Sequence, residues 1–410
     1  MKPNVLIILP WLPYPLNTGG NQATFNCIEA LKNDIQFHIA FMNGSYEQEK
    51  FLKKAWPDIK FYRHNKLKPK GFYAITSKVI ERLERKLFKN ILQYQIEESY
   101  IKDNYQRYQG FIEFINNIIE KQHINIVQME FMETIDYVYA IPDKIKKIFI
   151  HHELGYVRKE LYLKSIGVNN ELYYKYIYRQ AKQKEIGTLN YYDAVITVSS
   201  IDAEKLKRDG VTSEIVPSFC IVQNKYSFKQ IEKYDKVLTF VGPENHPPNK
   251  IGITWFLDNV WPSILEKEPC MKLKIIGNWT ETTQKDFYNK YKGLQFTGFV
   301  KDLQQELLGT IMIVPITIGS GIRMKIQEAA KMGIPVITTT VGVEGIPFEN
   351  RKECIIEDEP EKFAEAILKL NSIQDQQILA NAAYKKITEI FGFEALRQSR
   401  LPIYKKLANG

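Results

Sequence analysis

Residues 310–340, TIMIVPITIGSGIRMKIQEAAKMGIPVITTT, contain two short apolar runs separated by a stretch long enough for one helix. The runs at 310–316 and 335–340 are almost continuously apolar or β-branched, as in strands buried on both faces of a parallel sheet. Gly333 favours the end of the intervening helix, and Pro335 cannot continue it. The segment therefore predicts a strand–helix–strand unit of a parallel sheet.

The same alternation recurs along the 410-residue chain and falls into two series. In the first half, apolar runs predict strands at 4–9, 35–41, 125–129, 147–150 and 194–199. In the second half, they predict strands at 236–242, 272–277, 294–299, 310–316, 335–340 and 353–358. Strands alternating with helices in this way are typical of the α/β class. We therefore expect two Rossmann-like domains that face each other across a cleft.

The stretch 216–235 has no clear period and separates the two series. We expect an N-terminal domain over 1–216, a linker over 217–235 and a C-terminal domain over 236–392. The final residues, about 393–410, are expected to form a helix that packs back on the first domain. Ligands of such sheets bind outside the carboxyl ends of the strands, so the site is expected in the cleft.

The composition excludes several other classes of protein. Apolar residues make up 44% and charged residues 25%, which is ordinary for a globular protein. The four cysteines are far apart and form no C-x-x-C pair, so neither a zinc site nor a disulfide framework is expected. Wide cysteine spacing suits a reducing compartment, and we expect a cytoplasmic protein. No apolar stretch approaches the length of a spanning helix.

The first residues, MKPNVLIILPWLPYPL, could be misread as a signal peptide. Three prolines interrupt the apolar run, and no small-residue cleavage site follows it. We interpret residues 5–9 as a buried first strand instead.

The net charge of +9 is concentrated in one segment. Between Lys53 and Lys89 there are 12 Lys and Arg against three acids, so the rest of the chain sums to zero. Aromatic and aliphatic residues are interleaved with these charges, as in a segment lying on an anionic membrane surface. A solvated basic face explains the pattern equally well. No zinc-finger spacing or RNA-binding signature accompanies it, so nucleic acid is not an expected partner.

The helix expected after Gly319 and Gly321 has Arg323 and Lys325 in its first turn. Helix N-termini are already positive, so these cations are unfavourable there unless an anion is bound. Free backbone N–H groups at such an end favour phosphate, and a diphosphate would make both cations favourable partners. The alternative is that Lys325 pairs with Glu328 on a solvated helix face.

Several motifs in the second half occur in an order and spacing known from one family. They are FVGPENHPPNKIGITWFLDNVWPSI (240–264), IIG (275–277), FTGFVKDL (296–303), the quoted segment and CIIEDEPEKFAEAILKL (354–370). They resemble the donor-binding half of retaining family-4 glycosyltransferases, the glycosyl transferases group 1, over about 236–392. Residues 1–200 match more loosely, through PYPLNTGGNQATFN, VQMEFM, IFIHHELGYVRKE and DAVITVSSIDAEKL.

The resemblance implies a fold, an activity and partners. The family has the GT-B fold, with an N-terminal acceptor-binding and a C-terminal nucleotide-sugar-binding domain. It implies transfer of a hexose from a UDP- or GDP-linked donor to a hydroxyl of a glycan or lipid-linked acceptor, with retention of configuration. Cell-surface polysaccharide or glycoconjugate synthesis is the expected context. No cofactor is expected, and the absence of an Asp-x-Asp motif predicts independence of metal.

The resemblance also assigns donor contacts in the quoted segment. Glu328 matches the second glutamate of the family's E-x7-E motif and is expected to hydrogen-bond the ribose. Ser320 stands where the first glutamate would be. Backbone N–H groups from Ser320 to Ile322 are therefore expected to contact the donor sugar.

Other donor contacts are expected on neighbouring loops. Gly242 is followed by Pro243, where the family commonly has arginine, so Arg323 and Lys325 are the expected diphosphate cations and Lys250 a weaker one. Val341 and Glu344 are expected on the base and ribose side. Across the cleft, a loop with Gly19 and Gly20 (NTGGNQ, 17–22) is expected to face the donor phosphates, unless it is a plain strand–helix turn.

The pair His151 and His152 follows an apolar run and is expected at the cleft edge. One of them matches the family histidine that approaches the sugar and acceptor, and the other is expected to be structural. Residue types alone do not distinguish the two. Glu130 and Glu153 are further expected acceptor contacts.

Three other functions fit parts of the pattern. A glycoside hydrolase needs two carboxylates facing each other across the bond, and no such pair is recognisable in these motifs. A sugar-nucleotide epimerase could share both the fold and the diphosphate site. A non-catalytic GT-B sugar-nucleotide-binding protein would be consistent with Ser320.

Overall fold

The computed structural model describes residues 2–64, 109–165, 171–219, 226–319 and 321–410. Within these residues the chain forms two parallel β-sheets whose strands are separated by helices. The expected α/β class with two Rossmann-like domains is confirmed.

The first sheet has, among the described residues, seven strands in the order β3-β2-β1-β4-β5-β6-β7. The strands are β1 Asn4–Trp11, β2 Gln36–Asn43, β3 Lys60–Arg63, β4 Ile126–Glu130, β5 Lys146–His151, β6 Ala194–Thr197 and β7 Glu214–Pro217. The helices are α1 Gly19–Leu31, α2 Tyr46–Ala55, α3 Gln109–Lys121, α4 Gly155–Ser165, α5 Glu171–Leu189 and α6 Ser200–Arg208, with a 3-10 segment at Met132–Ala140.

The second sheet has six strands in the described part of the chain, in the order β10-β9-β8-β11-β12-β13. They are β8 Val237–Val241, β9 Lys272–Ile276, β10 Leu294–Gly298, β11 Ile311–Val314, β12 Val336–Thr338 and β13 Ile355–Ile356. The helices are α7 Pro247–Asn259, α8 Trp261–Lys267, α9 Glu281–Lys290, α10 Leu303–Leu307, α11 Met324–Met332, α12 Pro360–Lys369, α13 Ile373–Ile390 and α14 Phe393–Asn409.

Each of the eleven apolar runs contains or overlaps one of these strands. The first run is the centre of its sheet, since Val5 to Leu9 are fully buried and β1 pairs with both β2 and β4. Two strands, β3 and β7, were not expected from the sequence. They lie at the two edges of the first sheet and are partly exposed, so they lack the continuous apolar run of a buried strand.

The strand order of each sheet reverses at one point. In the first sheet the reversal lies between β1 and β4, and in the second between β8 and β11. A crevice opens at the carboxyl ends of the strands where the order reverses, because the two connections leave in opposite directions. The segments that leave β1, β4, β8 and β11 therefore form the expected binding cleft.

Helix α14 packs against the N-terminal domain although it follows the C-terminal domain in the chain. Arg397 forms a salt bridge with Asp34, and Tyr404 is buried in the core of the first sheet. The buried Arg400 donates from Nε to Ser218 Oγ at 2.9 Å. Helix α14 thus joins the first domain to the segment that leads out of β7.

In the described residues, no helix combines the length and apolarity needed to cross a membrane. The same residues contain no cluster of three metal-ligating side chains. Most of the basic segment, from residue 65 to 89, lies outside the described residues, and so does the expected membrane contact there.

Candidate active site between the two domains

The connection from β11 to α11 turns on two glycines. Gly319 and Gly321 have φ angles of 132° and 82°, which are accessible to glycine without a steric cost. A Cβ atom on Gly319 would lie 2.7 Å from Nη2 of Arg323, so a side chain there would displace the guanidinium. Arg323 occupies the N-cap position of α11 without a side-chain capping bond, and Gly333 ends the helix in the left-handed conformation.

Two cations lie at the positive end of α11. Arg323 is 9% exposed and donates from Nη1 to the carbonyl oxygen of Gly321. Lys325 donates from Nζ to Asn249 Oδ1 at 2.9 Å and lies 4.8 Å from the ring centre of Phe240. Burial lowers the pKa of both side chains, and burial together with the Arg323 charge lowers the pKa of Lys325 to about 7. An anion bound at this helix end would stabilise the charged form of both.

Glu328 lies one turn further along α11 and is buried. Its Oε1 accepts a hydrogen bond from Nε2 of Gln22 in α1, at 3.0 Å. Lys325 is directed to Asn249, so the alternative of a solvated Lys325–Glu328 pair does not describe this helix. The contact with Gln22 joins the two domains beside the helix end that carries the cations.

Gly19 and Gly20 lie in the first turn of α1, which Thr18 caps, and not in a loop. A Cβ atom on Gly19 would be 3.1 Å from Cγ of Met324, and one on Gly20 would be 2.7 Å from Cε1 of Phe131. The N-termini of α1 and α11 therefore approach each other closely. Both helix ends are electropositive, which adds to the preference for an anion between them.

His152 lies at the cleft and is held by a buried carboxylate. Its Nε2 is 3.0 Å from Oε2 of Glu130, and its ring stacks on Phe131 with 4.3 Å between the centres. Glu130 also accepts hydrogen bonds from Thr24 Oγ1 and Gln128 Nε2, each at 2.5 Å. Burial raises the pKa of Glu130, but the hydrogen bonds from His152 and Thr24 outweigh it and hold the pKa below its ordinary value.

Glu130 therefore has a different place from the one expected from the sequence. It is 1% exposed, so it lies beneath His152 and not on the surface that an acceptor would contact. A carboxylate bonded to a histidine ring nitrogen fixes the orientation of the ring.

His151, the last residue of β5, is buried. Its Nε2 is 2.9 Å from Oε1 of Glu185, which also accepts from the backbone N–H of Gly155 at 3.1 Å. The other oxygen of Glu185 accepts from the backbone N–H of Tyr156 at 2.8 Å. Glu185 thus accepts hydrogen bonds from two free N–H groups at the start of α4, and His151 orients Glu185. This arrangement gives His151 a structural role.

Two glycines of the C-terminal domain face the N-terminal domain. A Cβ atom on Gly321 would lie 3.5 Å from the backbone oxygen of His152. Gly345, at a φ of 79°, would place a Cβ atom 3.0 Å from Ser199 Oγ and 3.1 Å from Cγ1 of Ile322. The turn before α11 is therefore enclosed by the loop after β5 and by the start of α6.

The structure directs Lys250 away from the two cations of α11. Its Nζ is 2.7 Å from Glu244 Oε1 and 3.3 Å from Thr283 Oγ1. Burial raises the pKa of Glu244, but the hydrogen bonds that its carboxylate accepts from Lys250, Thr283 and Thr280 outweigh this effect and lower the pKa to about 2. Gly242 packs on Asn249, since a Cβ atom there would lie 2.5 Å from Nδ2 of that side chain.

Val341 and Glu344 lie in the turn after β12. Val341 packs against the core of the C-terminal domain. The carboxylate of Glu344 is close enough to Arg323 to raise the pKa of the guanidinium against the larger effect of burial. Ser320 lies outside the described residues.

A cavity of about 450 Å³ opens beside the turn before α11. Its described lining comes from both domains and includes Gly319, Arg323 and Glu153 among the residues expected from the sequence. Its size is within the range of small-molecule sites. His246, which the sequence analysis missed, lies on the same wall, and burial together with the Lys325 and Arg323 charges lowers the pKa of its imidazole.

Asp202 in α6 was also missed. It is 4% exposed, its Oδ2 has no hydrogen-bond partner within the described structure, and burial raises its pKa to about 6. Among the neighbouring charges, those of His151 and Arg323 lower this pKa and that of Glu344 raises it. His246 and Asp202 each follow a strand of their sheet closely, and that position was the signal that could have identified them.

Comparison with known proteins finds a family match in the C-terminal domain and a curated relative that covers a larger part of the chain. Residues 235–372 match the family model described as Glycosyl transferases group 1. A curated relative, an uncharacterised 44.6 kDa protein in the cps region of Klebsiella pneumoniae, is 23% identical over 62% of this chain and 68% of that protein.

Solved structures extend the similarity to the whole chain. TarM superposes with a TM-score of 0.71 at 13% identity, over 100% of this chain and 99% of TarM. Anabaena HepE in complex with UDP-glucose superposes with a TM-score of 0.62 at 11% identity, over 99% and 100% of the two chains. The part of the chain that carries the expected donor site thus matches the group 1 glycosyl transferases, and the chain as a whole has their two-domain GT-B fold.

Proposed function

We propose that this chain is a retaining hexosyltransferase that needs no metal ion. It moves a hexose from a UDP- or GDP-linked donor to a hydroxyl of a glycan or lipid-linked acceptor. One observation carries the proposal: Arg323 is buried and Lys325 is partly buried at the positive end of α11, opposite the N-terminus of α1. That arrangement is unfavourable without a strong anion and favourable with a diphosphate.

The donor lies along the start of α11 in this proposal. Its diphosphate contacts Arg323, Lys325 and backbone N–H groups at the start of α11. Its sugar contacts the N–H groups of Gly321 and Ile322, and its ribose contacts Glu328. Gly319 and Gly321 allow the backbone to approach the sugar, and Gly19 and Gly20 allow α1 to approach the phosphates. The turn with Val341 and Glu344 borders the base. The complexes of HepE with UDP-glucose and of a Staphylococcus aureus TarM mutant with UDP support a nucleotide in this cleft.

The reaction is a substitution at the anomeric carbon. The acceptor oxygen forms a bond to that carbon, and the bond to the diphosphate oxygen breaks and leaves its electron pair on the diphosphate. The leaving oxygen takes the proton of the acceptor hydroxyl on the same face, so the configuration is retained. Arg323, Lys325 and the backbone N–H groups stabilise the developing negative charge.

The N-terminal domain binds the acceptor in this proposal. His152 approaches the sugar, and Glu130 orients the imidazole from below. Glu153, on the cavity wall, contacts the acceptor. Its carboxylate pairs with Arg158 at 2.5 Å and can accept hydrogen bonds from the hydroxyls of the acceptor substrate.

Incubation with UDP- and GDP-hexoses tests the activity. The full chain, treated with EDTA, is expected to release UDP or GDP at a rate that rises with added acceptor. An isomerised donor without nucleotide release would identify an epimerase. Tight nucleotide-sugar binding without any turnover would identify a non-catalytic binding protein, and loss of activity in EDTA would refute independence of metal.

We also propose that the enzyme acts in the cytoplasm, at the inner face of the membrane, through the basic segment Lys53–Lys89. The location of the related protein in a cps region fits a surface polysaccharide as product. Flotation with liposomes tests this contact: binding should require anionic lipid and fall when Lys66, Lys68 and Lys70 are changed to Glu. Binding that ignores lipid charge would refute it.

A further inference from the structure

The cavity beside α11 has walls that are mainly apolar. The N-terminal domain contributes Ile135, Tyr156 and Ala181, and the C-terminal domain contributes Pro248 and Ile251. The cavity begins at Gly319 and Arg323, where the proposed donor sugar lies, and extends between α4, α5 and the start of α7. A molecule in it would therefore reach the anomeric carbon at one end and apolar side chains elsewhere.

The charged residues around this cavity compensate one another. The lining includes four acids, Glu133, Asp136, Glu153 and Glu185, and four bases, Arg158, Lys159, Lys184 and Arg323. Glu153 pairs with Arg158 at 2.5 Å, Asp136 with Lys184 at 3.5 Å, and Glu185 is bonded to His151 and to the start of α4. The wall has no charge excess that would select a free phosphate or an acidic sugar.

We propose that this cavity holds the alkyl or prenyl chain of a lipid-linked acceptor, next to the sugar whose hydroxyl attacks the donor. This inference rests on the proposed glycosyltransferase function and narrows its acceptor to amphiphiles. The binding free energy of an apolar chain becomes more favourable in proportion to the apolar area that it buries. A bare sugar would leave the apolar walls of the cavity exposed to water. The volume of about 450 Å³ accommodates the first part of such a chain.

Calorimetric titration of the full chain in the presence of UDP tests the proposal with defined probes. The probes are methyl, phenyl and n-octyl β-D-glucoside, the last below its micelle concentration. Each buried methylene is expected to increase affinity about fourfold. The octyl glucoside should therefore bind more tightly than the methyl glucoside by about tenfold or more, even if only two methylenes are buried.

A pair of variants on α7 locates the binding. Ile251→Asp places a carboxylate in the cavity wall and should abolish the gain from the octyl chain. Asn259→Asp adds the same charge at an exposed position of the same helix and should leave the gain unchanged. UDP affinity, measured on the same samples, should be equal in both variants.

The outcomes separate this inference from the proposed function. Equal affinity for the three glucosides, no binding of any of them, or an octyl gain that survives Ile251→Asp would overturn the lipid assignment. Phenyl glucoside binding as tightly as octyl glucoside would indicate an aromatic acceptor and would overturn it too. If UDP fails to bind and no donor is turned over, the proposed function itself is refuted.

Discussion

Gln22 donates a hydrogen bond from Nε2 to Oε1 of Glu328, 3.0 Å away, although 306 residues separate them in the chain. The bond crosses between the domains and is buried. Glu328 is the residue proposed to bind the donor ribose, so a side chain of the N-terminal domain orients a donor contact of the C-terminal domain. Donor affinity should therefore depend on both domains.

Glu328→Gln should weaken binding of the nucleotide sugar by about ten- to a hundredfold, as expected for the loss of hydrogen bonds to a charged group. Gln22→Ala should weaken it less, because it leaves the carboxylate in place but unoriented. Binding is measured by titration with UDP- and GDP-sugars. Gln374→Ala, at an exposed position of α13, is the control and should bind as the parent chain does. Undiminished affinity in Glu328→Gln would contradict the assignment.

Donor binding should weaken as the pH rises through about 7. The pKa of Lys325 is lowered to about 7 in the free protein, so its ammonium is charged below that pH and neutral above it. A diphosphate binds the charged form and raises its pKa, so binding takes up a proton near neutral pH. Titration of UDP from pH 6 to 9 should show the decrease.

Lys325→Arg should remove most of this pH dependence, because a guanidinium stays charged over the whole range. Lys290→Arg is the matched control at an exposed site of α9, and its pH profile should follow that of the parent chain. If the UDP affinity of the parent chain did not change between pH 6 and 9, Lys325 would not be a phosphate contact.

The two adjacent histidines should respond differently to substitution. His152→Ala should lower kcat by about a hundredfold or more, in the range of general acid–base or charge-stabilising groups, while the Tm stays close to that of the parent. His151→Ala removes the only side-chain partner that the described residues give the buried Glu185, and it should lower the Tm instead. Kinetic constants and thermal unfolding of both variants decide the matter. The opposite pattern would exchange the two roles.

A chain of hydrogen bonds leads from helix α14 to His152. Tyr404 donates to Gln128 Oε1, Gln128 Nε2 donates to Glu130 at 2.5 Å, and Glu130 accepts from His152. Tyr404→Phe should therefore lower kcat severalfold and shift its pH profile, with little change in the KM of the donor. Tyr404→Leu should also lower the Tm, because the ring is fully buried. An unchanged pH profile in Tyr404→Phe would reduce Tyr404 to a packing residue.

Most of the fold could be predicted because strands buried on both faces of a parallel sheet are short, continuous apolar runs. Residues 5–9 and 311–314 are examples, and both are strands at the centre of their sheets. The edge strands β3 and β7 escaped prediction because each has four residues, of which at most one is buried, too few for a continuous apolar run. Their pattern does not differ from that of a loop with one or two apolar residues.

Site residues could be predicted from the sequence only where their surroundings are set locally, by the backbone turn or by the helix end in which they lie. The glycines before α11 and the cations in its first turn belong to this group, since a local helix and its dipole define their surroundings. The roles of Gln22, Glu130, Asn249 and Asp202 depend on partners from distant parts of the chain. Nothing in the spacing of such residues along the sequence indicates which pairs will meet.

The sequence by itself thus determined two parallel-sheet domains and an electropositive turn suited to a phosphate, because periodicity and helix ends are local properties. Only the tertiary structure decided that His152 faces the cleft while His151 supports α4. It also decided that Glu130 lies beneath His152, and that Gln22 reaches Glu328. The physical reason is that burial and hydrogen-bond partners are set when the sheets, the cleft and helix α14 come together.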